Sequence, residues 1–421
     1  MAASGGFEVV RDPLWNNIGL DAHALAVLDS APVQRLRYVR QLGHAYLVYP
    51  GATHTRFEHA LGTYHLARRA LTLLAERGAL EAVPPEAPAL VRLAALLHDV
   101  GHYPFSHALE EAGFPSHEVL ARDHLAHPEL VAALAATGLG HPARHIGDLI
   151  AGRAANPLQG LIAGPIDLDK IEYLTRDARM CGVPYGTVDV DRLLHSLTLV
   201  PGPDGPVVGL HEKGVSALES LLFAKYQMYR NVYWHHAVRS ATAMFKRVVR
   251  AALDAGELTT PVIAHAADES LMERLCALPG AELAERLRRR RLYKRILDLP
   301  AGDLPFGSGA WIADRPALTA QVEDRLAREW GLPAGAVLMD YPTKPEMLTG
   351  EVLVQTRHGV VAPARLGIHR VAEDLHRAAR RLRIFAATPT KVDPRAIQTL
   401  IEAGPEEIQT RLGEDRPLAT R

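Results

Sequence analysis

Apolar residues recur at the three- and four-residue spacing of an α-helix through most of the first 330 residues, and this pattern constrains the fold more than any other feature. In one such segment Leu61, Leu66, Ala70 and Leu73 fall on one side of a helix. The same spacing predicts helices over residues 32–42, 58–76, 87–100, 116–125, 130–137, 141–151, 167–180 and 214–253. Most of the chain is therefore expected to be helical.

Past residue 330 the apolar residues alternate instead, as they do in short strands. Strands are predicted at 351–355, 360–362 and 383–387, with helices at 372–381 and 394–402. Two further strands, 197–200 and 207–210, flank the Pro- and Gly-rich turn 201–206. We predict a mostly α fold with two parts, a helical core over residues 1–330 and a small α/β region over residues 331–421 that packs on it.

The composition indicates the setting in which the chain works. With 421 residues, 48% of them hydrophobic, the chain can bury a large core, and a formal charge of -1 gives it no general attraction to nucleic acid or to an anionic membrane. Cys181 and Cys276 are too few for a disulfide framework. No signal peptide or membrane-spanning apolar run is found, so we expect a soluble cytoplasmic protein.

His98 and Asp99 stand side by side where the apolar run 93–97 ends, just before Gly101. Such a pair at the end of a rigid helix offers nitrogen and oxygen to one divalent ion. In isolation it is more often a capping or hydrogen-bonding feature. The density of histidines that follows, together with nearby acids, favours the metal interpretation, because buried imidazoles all need hydrogen-bond partners. These residues are His102, His107, Glu110, His117 and Glu118.

Further ligands are expected from other segments, and His59 and Asp169 are the candidates. Each lies in a segment with helical spacing, which would aim it from a fixed position. The proposed ligand set is therefore His59, His98, Asp99 and Asp169. Two imidazoles with two carboxylates suit Mn, Fe, Co, Ni, Zn or Mg better than they suit a soft metal.

Four residues beside these ligands are candidates for substrate binding. Arg56 lies three residues before His59 and can clamp a phosphate beside the ion, and Lys170 adds a second positive charge next to Asp169. Tyr173 and Asp177 follow Asp169 by four and eight residues, so they share its helical face. The chain has no Gly-rich phosphate-binding loop, so phosphates must be held by side chains and metal.

Several strings in the same order resemble the HD-domain phosphohydrolases, and specifically their deoxynucleoside triphosphate triphosphohydrolase branch. The resemblance begins near Phe7 and is carried to about residue 240, beyond which it is thin. The strings are Leu36-Arg-Tyr-Val-Arg-Gln-Leu-Gly43, Tyr49-Pro-Gly-Ala-Thr-His-Thr-Arg-Phe-Glu-His59, His98-Asp-Val-Gly-His-Tyr-Pro-Phe-Ser-His107, Ser116-His-Glu118 and Ile166-Asp-Leu-Asp-Lys170. It implies a helical HD-domain core and cleavage of dNTPs to nucleoside and tripolyphosphate.

The resemblance also implies roles for individual residues. The family's metal ligands fall on the four residues chosen above. His102, His107 and His117 would face the phosphates as proton donors or water-orienting groups. Glu110 would hold His107, although it stands where a regulated member of the family has the shorter Asp. Around the sugar and base, the implied contacts are Tyr173, Asp177, Gln41, Leu42 and, less directly, Lys225, Tyr226 and Arg230.

A regulatory nucleotide is a further implication of the resemblance, bound where subunits of a homo-oligomer meet. Asp29, Gln34 and Arg37 match the residues that read an activating guanine, and Arg290 and Lys294 match phosphate contacts. Glu8 and Arg11 depart from the family's Lys and Asn, so the nucleotide preference there is expected to differ or to be lost.

Two other functions stay open from the sequence. One is hydrolysis of nucleoside monophosphates or other phosphorylated metabolites by the same site. The other is binding of single-stranded nucleic acid through the basic stretch 286–295, which by default is a solvated helix face or helix end. The neutral overall charge makes nucleic acid a secondary partner at most.

Overall fold

The structure is a computed structural model that describes residues 8–81, 83–305, 307–342, 352–362 and 368–419. Its helices are α1 Ala22–Leu28, α2 Ala31–Arg35, α3 Arg56–Glu76, α4 Ala87–Leu97, α5 His117–Leu125, α6 Pro128–Ala135, α7 Pro142–Ile150, α8 Leu168–Cys181, α9 Val190–Leu194, α10 Val215–Met228, α11 His236–Asp254, α12 Thr260–His265, α13 Asp268–Ala277, α14 Glu282–Arg288, α15 Trp311–Asp314, α16 Pro316–Glu329, α17 Ile368–Ala379, α18 Pro394–Glu402 and α19 Pro405–Gly413. Its strands are β1 Glu8–Asp12, β2 Asn16–Leu20, β3 Leu197–Gly202, β4 Gly205–His211, β5 Lys294–Pro300, β6 Val337–Asp340, β7 Val354–Thr356, β8 Gly359–Val361 and β9 Arg381–Ala386. The predicted mostly helical fold with small sheets is confirmed.

Helix α3 lies at the centre of the largest core and packs against α4 and α8. Its first turn is fixed by a capping box, in which the Thr55 backbone N–H and hydroxyl both donate to the Glu58 carboxylate. Apolar residues of the three helices, such as Leu66, Leu96 and Ile171, are fully buried. This packing brings the start of α3, the end of α4 and the start of α8 to one place.

Within the described residues, three small sheets accompany the helices. Strands β1 and β2 form an antiparallel hairpin, while β3, β4, β7 and β8 form a sheet in that order, with β4 and β7 parallel. The third sheet has the order β5-β9-β6 and is antiparallel throughout.

The third sheet crosses the domain boundary predicted at residue 330. Strand β5 precedes that boundary and pairs with β9, which follows it. Helix α16, which also precedes the boundary, packs on β6 and shares a core with α18. Residue 330 therefore lies between paired strands of one sheet, and the division of the chain into residues 1–330 and 331–421 stays a prediction.

Two predicted helices are interrupted. The helix expected over 32–42 ends at Arg35 and continues as a 3-10 turn from Leu36 to Tyr38. The long helix expected over 214–253 is wrong as a single element, since a π-helical turn, Tyr229–Tyr233, separates α10 from α11. Wide turns of this kind are frequent at functional sites. The predicted strand 351–355 lies partly outside the described residues, which include it only from residue 352.

In the part of the chain that the structure describes, no helix has both the length and the apolar character needed to cross a membrane.

Candidate active site and metal centre

The four predicted metal ligands meet where α3, α4 and α8 converge. The His59 Nε2 atom lies 3.1 Å from the His98 Nε2 atom and 2.9 Å from an Asp169 carboxylate oxygen. Asp99 completes the group, with its two oxygens 3.3 Å from His98 Nε2 and 3.6 Å from His59 Nε2. His59, His98 and Asp169 thus have the mutual spacing of ligands to a single ion, and Asp99 lies beside them.

Hydrogen bonds fix the tautomer of both histidines. The His59 Nδ1–H donates to Glu172 at 2.6 Å, and the His98 Nδ1–H donates to the Ala95 carbonyl oxygen at 2.9 Å. Each ring therefore directs its Nε2 atom to the centre of the group, where it can ligate an ion once Nε2 has lost its proton. The donor set fits a divalent metal, because the Nε2 atoms and carboxylates of four separate residues point inward together.

A buried chain of charges supports His59 from behind. The Arg176 Nε–H donates to Glu172 at 2.8 Å, and its Nη1–H donates to Asp12 at 2.9 Å. Trp15 adds an indole N–H bond to Glu172 at 2.9 Å. Burial would raise the pKa of Glu172, but Arg176 and His59 lower it, so this carboxylate stays ionised.

Space for Glu172 is provided by a glycine on the facing helix. A Cβ atom at Gly62 would lie 2.0 Å from a Glu172 carboxylate oxygen. Only glycine therefore lets α3 and α8 approach closely enough for Glu172 to reach His59.

Asp99 is held by an arginine predicted to bind phosphate. The Arg56 Nη1–H donates to Asp99 at 2.7 Å, its Nε–H to the Ser106 hydroxyl at 3.0 Å, and its Nη2–H to the Gln41 carbonyl oxygen at 3.4 Å. Burial would raise the pKa of Asp99, but Arg56, His98 and His102 hold it well below its ordinary value. Arg56 thus lies beside the ion site, and its shortest hydrogen bond is to the predicted metal ligand Asp99.

The second group of histidines surrounds Glu110. The His107 Nδ1–H and the His117 Nδ1–H contact its two oxygens at 3.0 and 2.8 Å. His102 lies between the two groups, with its Nε2 atom 3.0 Å from Asp99 and its ring stacked on His117 at 3.8 Å. The structure therefore brings His102, His107, Glu110 and His117 together beside the ligand set.

The pKa values of Glu110, His117 and His102 shift in different directions. Burial alone would raise the pKa of Glu110, but the charges and hydrogen bonds of His107 and His117 hold it well below its ordinary value. Burial lowers the pKa of His117, yet the bond to Glu110 outweighs burial and raises it. For His102, burial, Arg56 and His117 together lower the pKa far below its usual value. His102 is therefore neutral, while His117 is disposed to carry a proton.

The same group also has the spacing of metal ligands. However, the His102 and His117 rings are nearly parallel, at 16° to each other, so their lone pairs run side by side rather than converging on one ion. A shared carboxylate and stacked rings suit proton handling better.

His107 is carried by an unusual turn. Phe105 and Ser106 both have left-handed backbone conformations, with φ of 58° and 60°. The Phe105 N–H donates to Asp268 at 2.8 Å, and the Phe105 ring stacks on His44 at 4.3 Å. The Ser106 hydroxyl donates to the Arg40 carbonyl oxygen at 2.7 Å. Contacts from distant elements thus hold a backbone that non-glycine residues seldom adopt.

A cavity of about 900 Å³ opens onto both groups of histidines. Lys170, Tyr173, Gln41 and Leu42 lie in its wall, as does Asp177. The Lys170 ammonium donates to Asp167 and, at 2.9 Å, to the Gly164 carbonyl oxygen. Within the described residues the Gln41 side-chain oxygen is buried and accepts no hydrogen bond.

Asp177 has an oriented carboxylate at the far side of this cavity. His54 contacts one oxygen at 2.8 Å and the Tyr233 hydroxyl donates to the other at 2.7 Å. Lys225 also lies in the wall, whereas Arg230 donates to the Tyr226 hydroxyl at the surface.

The predicted regulatory residues form two separate sets. Gln34 accepts a hydrogen bond from Arg37, which covers the Phe57 ring, and Asp29 follows α1 nearby. Arg290 donates to the Leu47 carbonyl oxygen, and Lys294 begins β5. Among the described residues no hydrogen bond or ion pair joins the two sets.

The basic stretch is partly occupied by contacts within the chain. Arg289 pairs with Glu285 at 3.1 Å, and Arg286 lies over the Tyr293 ring. Its role as a nucleic-acid surface stays a prediction.

Sequence reasoning missed the residues that position the ligands. Glu172 carried a usable signal, because it lies three residues after Asp169 and so near the same face of α8. The sequence held no such signal for Asp12, Trp15 and Asp268, since each reaches the site from a distant segment.

Comparisons with known proteins identify the family to which the chain is similar. The sequence profile of the HD domain matches residues 56–158, and that of the HD associated region matches residues 188–393. An uncharacterised protein of Methanocaldococcus jannaschii is 35% identical over 355 residues, covering 84% of this chain and 73% of that protein. A solved structure of a hypothetical protein from Aquifex aeolicus superposes with a TM-score of 0.70 and 27% identity, covering 97% of this chain and 100% of that one.

The chain is also similar to deoxynucleoside triphosphate triphosphohydrolase SAMHD1 of Danio rerio, with 28% identity over 263 residues. That match covers 54% of this chain and 42% of the fish protein. The chain thus spans less than half of the length of that relative.

Proposed function

The chain belongs to the HD-domain family, and we propose that it is a metal-dependent hydrolase that cleaves dNTPs to deoxynucleoside and tripolyphosphate. One observation carries the proposal: the candidate ligands His98, Asp99 and Asp169 and the Glu110-centred group of histidines line the same cavity of about 900 Å³, and His59 lies directly behind it, in contact with His98 and Asp169. Phosphate ester hydrolysis needs charge neutralisation, an oriented water and a proton for the leaving group. The two groups supply these needs side by side.

His59, His98, Asp99 and Asp169 would hold the ion, one of Mn, Fe, Co, Ni, Zn or Mg. When bound, a divalent ion supplies Lewis-acid polarisation of a phosphate oxygen. Lys170 adds positive charge in the cavity wall, and Arg56 keeps Asp99 ionised and oriented.

We assign the proton transfer to His107. Its side chain is 40% exposed, against 1% for His102 and 14% for His117, so it is the histidine of the three that a substrate reaches most readily. Glu110 holds its Nδ1–H and thereby directs Nε2 away from itself. As water adds to the α-phosphorus and the bond to the 5′-oxygen breaks, His107 gives its proton to that oxygen and regains one from the attacking water.

The choice of a dNTP as substrate rests on the similarity to named relatives and on the residues around Asp177 in the cavity wall. Relatives in several vertebrates are deoxynucleoside triphosphate triphosphohydrolases by name. Asp177 presents an oriented acceptor that suits a sugar hydroxyl, with Tyr173, Gln41 and Leu42 around it. We further propose a homo-oligomer in the cytoplasm, with Asp29, Gln34 and Arg37 of one subunit and Arg290 and Lys294 of another holding a regulatory nucleotide.

The test is to incubate the purified chain with Mn²⁺ or Mg²⁺ and each dNTP, singly and in mixtures, and to resolve the products by anion exchange. Nucleoside with tripolyphosphate supports the proposal, and turnover only in mixtures supports nucleotide activation. Orthophosphate released from monophosphates would support the alternative phosphohydrolase, and no product with any metal would refute both.

Matched variants assign the proton donor. His107→Gln should abolish product while the metal content stays unchanged, because His107 does not ligate the ion. His145→Gln alters an exposed histidine that lies outside the cavity and should leave turnover at the wild-type rate. Full activity of the His107 variant would move the assignment to His117 or His102.

A further inference from the structure

We propose that the turn of the N-terminal hairpin, residues 12–15, positions the metal ligand His59, so that the hairpin and the bound ion stabilise each other. The inference rests on the ion site of the proposed function, but its test needs no substrate. Asp12 and Trp15 would then be positioning residues, since neither of them touches the ion.

The hairpin is docked through one face only. Ile18 and Leu20 are fully buried in the main core, and Arg68 of α3 donates to the Gly19 carbonyl oxygen. On the other strand Val9 is 54% exposed and Arg11 is also exposed. A two-stranded hairpin is marginally stable alone, so its order depends on such contacts.

The turn itself reaches the support of the metal ligand. Asp12 accepts the backbone N–H groups of Leu14 and Trp15, both at 2.8 Å, with one oxygen, which shapes the turn. Its other oxygen accepts from Arg176 at 2.9 Å. The side chains of Asp12 and Arg176 are 3% and 0% exposed, so this ion pair is shielded from water.

Glu172 connects the turn to His59. One of its oxygens accepts from both Trp15 and Arg176, and the other accepts from His59 at 2.6 Å. Removing the indole donor leaves a buried carboxylate oxygen with one donor fewer, and Glu172 can then turn away from His59. Loss of such a partner of a ligating histidine typically weakens metal binding about 10- to 100-fold.

The coupling works in both directions. If an ordered hairpin strengthens ion binding, then ion binding must order the hairpin by the same free energy. Any molecule that binds the exposed outer strand and shifts the turn would therefore change the metal affinity of the site.

The experiment compares Trp15→Phe with Trp311→Phe. Both changes remove an indole N–H from a partly or fully buried ring, but the Trp311 Nε1 atom has no hydrogen-bond partner in the described structure and lies far along the chain in α15. The Mn²⁺ dissociation constant is measured by competition with a fluorescent chelator. We expect it to rise by up to about 10-fold for Trp15→Phe, the lower end of that range, because Trp15 acts on His59 through Glu172, and to stay at the wild-type value for Trp311→Phe.

Equal affinities in Trp15→Phe and wild type would overturn the inference, whereas a wild-type chain that binds none of Mn²⁺, Fe²⁺, Co²⁺, Ni²⁺, Zn²⁺ and Mg²⁺ would overturn the proposed function itself. If Trp15→Phe does not fold, hydrogen exchange of the wild type decides. Added Mn²⁺ should slow exchange of the amides of residues 14–18 but not those of the β3-β4 hairpin. Unchanged exchange at residues 14–18 in Mn²⁺-loaded protein would contradict the coupling.

Discussion

Asp268→Asn should slow turnover while leaving the metal site loaded, because Asp268 holds the turn that carries His107. One Asp268 oxygen accepts the Phe105 N–H at 2.8 Å, and the other accepts the Arg40 N–H at 3.1 Å. An asparagine offers one acceptor oxygen, so its amide NH₂ must face one of these two donors. Burial raises the pKa of Asp268 to about 6, so an assay at pH 8 begins from the ionised carboxylate.

The size of the expected loss in kcat follows from comparing the backbone strain of the turn with the hydrogen bond that holds it. Two left-handed residues, Phe105 and Ser106, store on the order of 2–6 kcal/mol of backbone strain. A hydrogen bond to a charged group contributes about 1.5–3 kcal/mol, which is comparable, so its loss lets the turn relax. With about 1.4 kcal/mol per factor of ten, a misplaced His107 should lower kcat about 10- to 100-fold, with a much smaller change in KM.

Glu269→Gln is the matched control. Glu269 follows Asp268 and pairs with the same Arg40 side chain at 2.8 Å, but it is 66% exposed and does not contact the turn. Steady-state kinetics on the best dNTP and metal content by mass spectrometry are measured for both variants. A wild-type kcat in Asp268→Asn, or an equal loss in Glu269→Gln, would refute the reasoning. A loss of metal together with kcat would indicate general unfolding instead.

Three further predictions concern stability. Chelation should lower Tm, since an ion at 100 times its Kd stabilises the native state by about 2.7 kcal/mol, and His98→Ala should abolish that difference in a thermal scan. Burial raises the pKa of Glu323 to about 7, above its value in the unfolded chain. Glu323 therefore contributes its full stabilisation of the folded state below the unfolded pKa, and this contribution is lost as pH rises through about 7. Urea unfolding at pH 5 and pH 8 should therefore show a smaller pH dependence in Glu323→Gln than in wild type, and an identical dependence would contradict the assignment. Arg239→Met should lower the free energy of unfolding in urea by up to about 3–5 kcal/mol, because it leaves Glu111 and Asp340, its partners at the cavity wall and in β6, with the longer contacts to Lys246 at 3.6 and 3.9 Å; an unchanged midpoint would contradict that role.

Helices could be predicted because their signal is local. The helix predicted over 58–76 occurs as Arg56–Glu76, and that over 167–180 occurs as Leu168–Cys181, since the apolar spacing that defines each lies within the segment itself. The break at Tyr229–Tyr233 carried no such signal, because its aromatic residues keep helical spacing through the π turn. The third sheet was also beyond local reasoning, since β5 finds its partner β9 more than eighty residues later.

The candidate site divides in the same way. His98, Asp99, His102 and His107 fall within ten residues of one another, so their density was visible in the sequence. The partners that orient them were not, because Glu172, Asp12 and Asp268 approach through contacts that span 113 to 164 residues. Residue type and spacing therefore indicate which chemistry is present, while tertiary packing decides which way each ring faces.

The different roles proposed for the histidines follow from what each Nδ1 atom contacts. His59 and His98 give Nδ1–H to partners behind the site, which leaves both Nε2 atoms directed at the acidic residues Asp99 and Asp169. His107 and His117 also contact a partner through Nδ1, but it is the one carboxylate of Glu110, so the protonation of either ring affects the other through that shared charge. His102 instead directs Nε2 to Asp99 and stacks on His117, and it thereby joins the ion site to the proton-handling group. A change in charge at the ion site therefore reaches His117 through two contacts, that of Asp99 with His102 and that of His102 with His117.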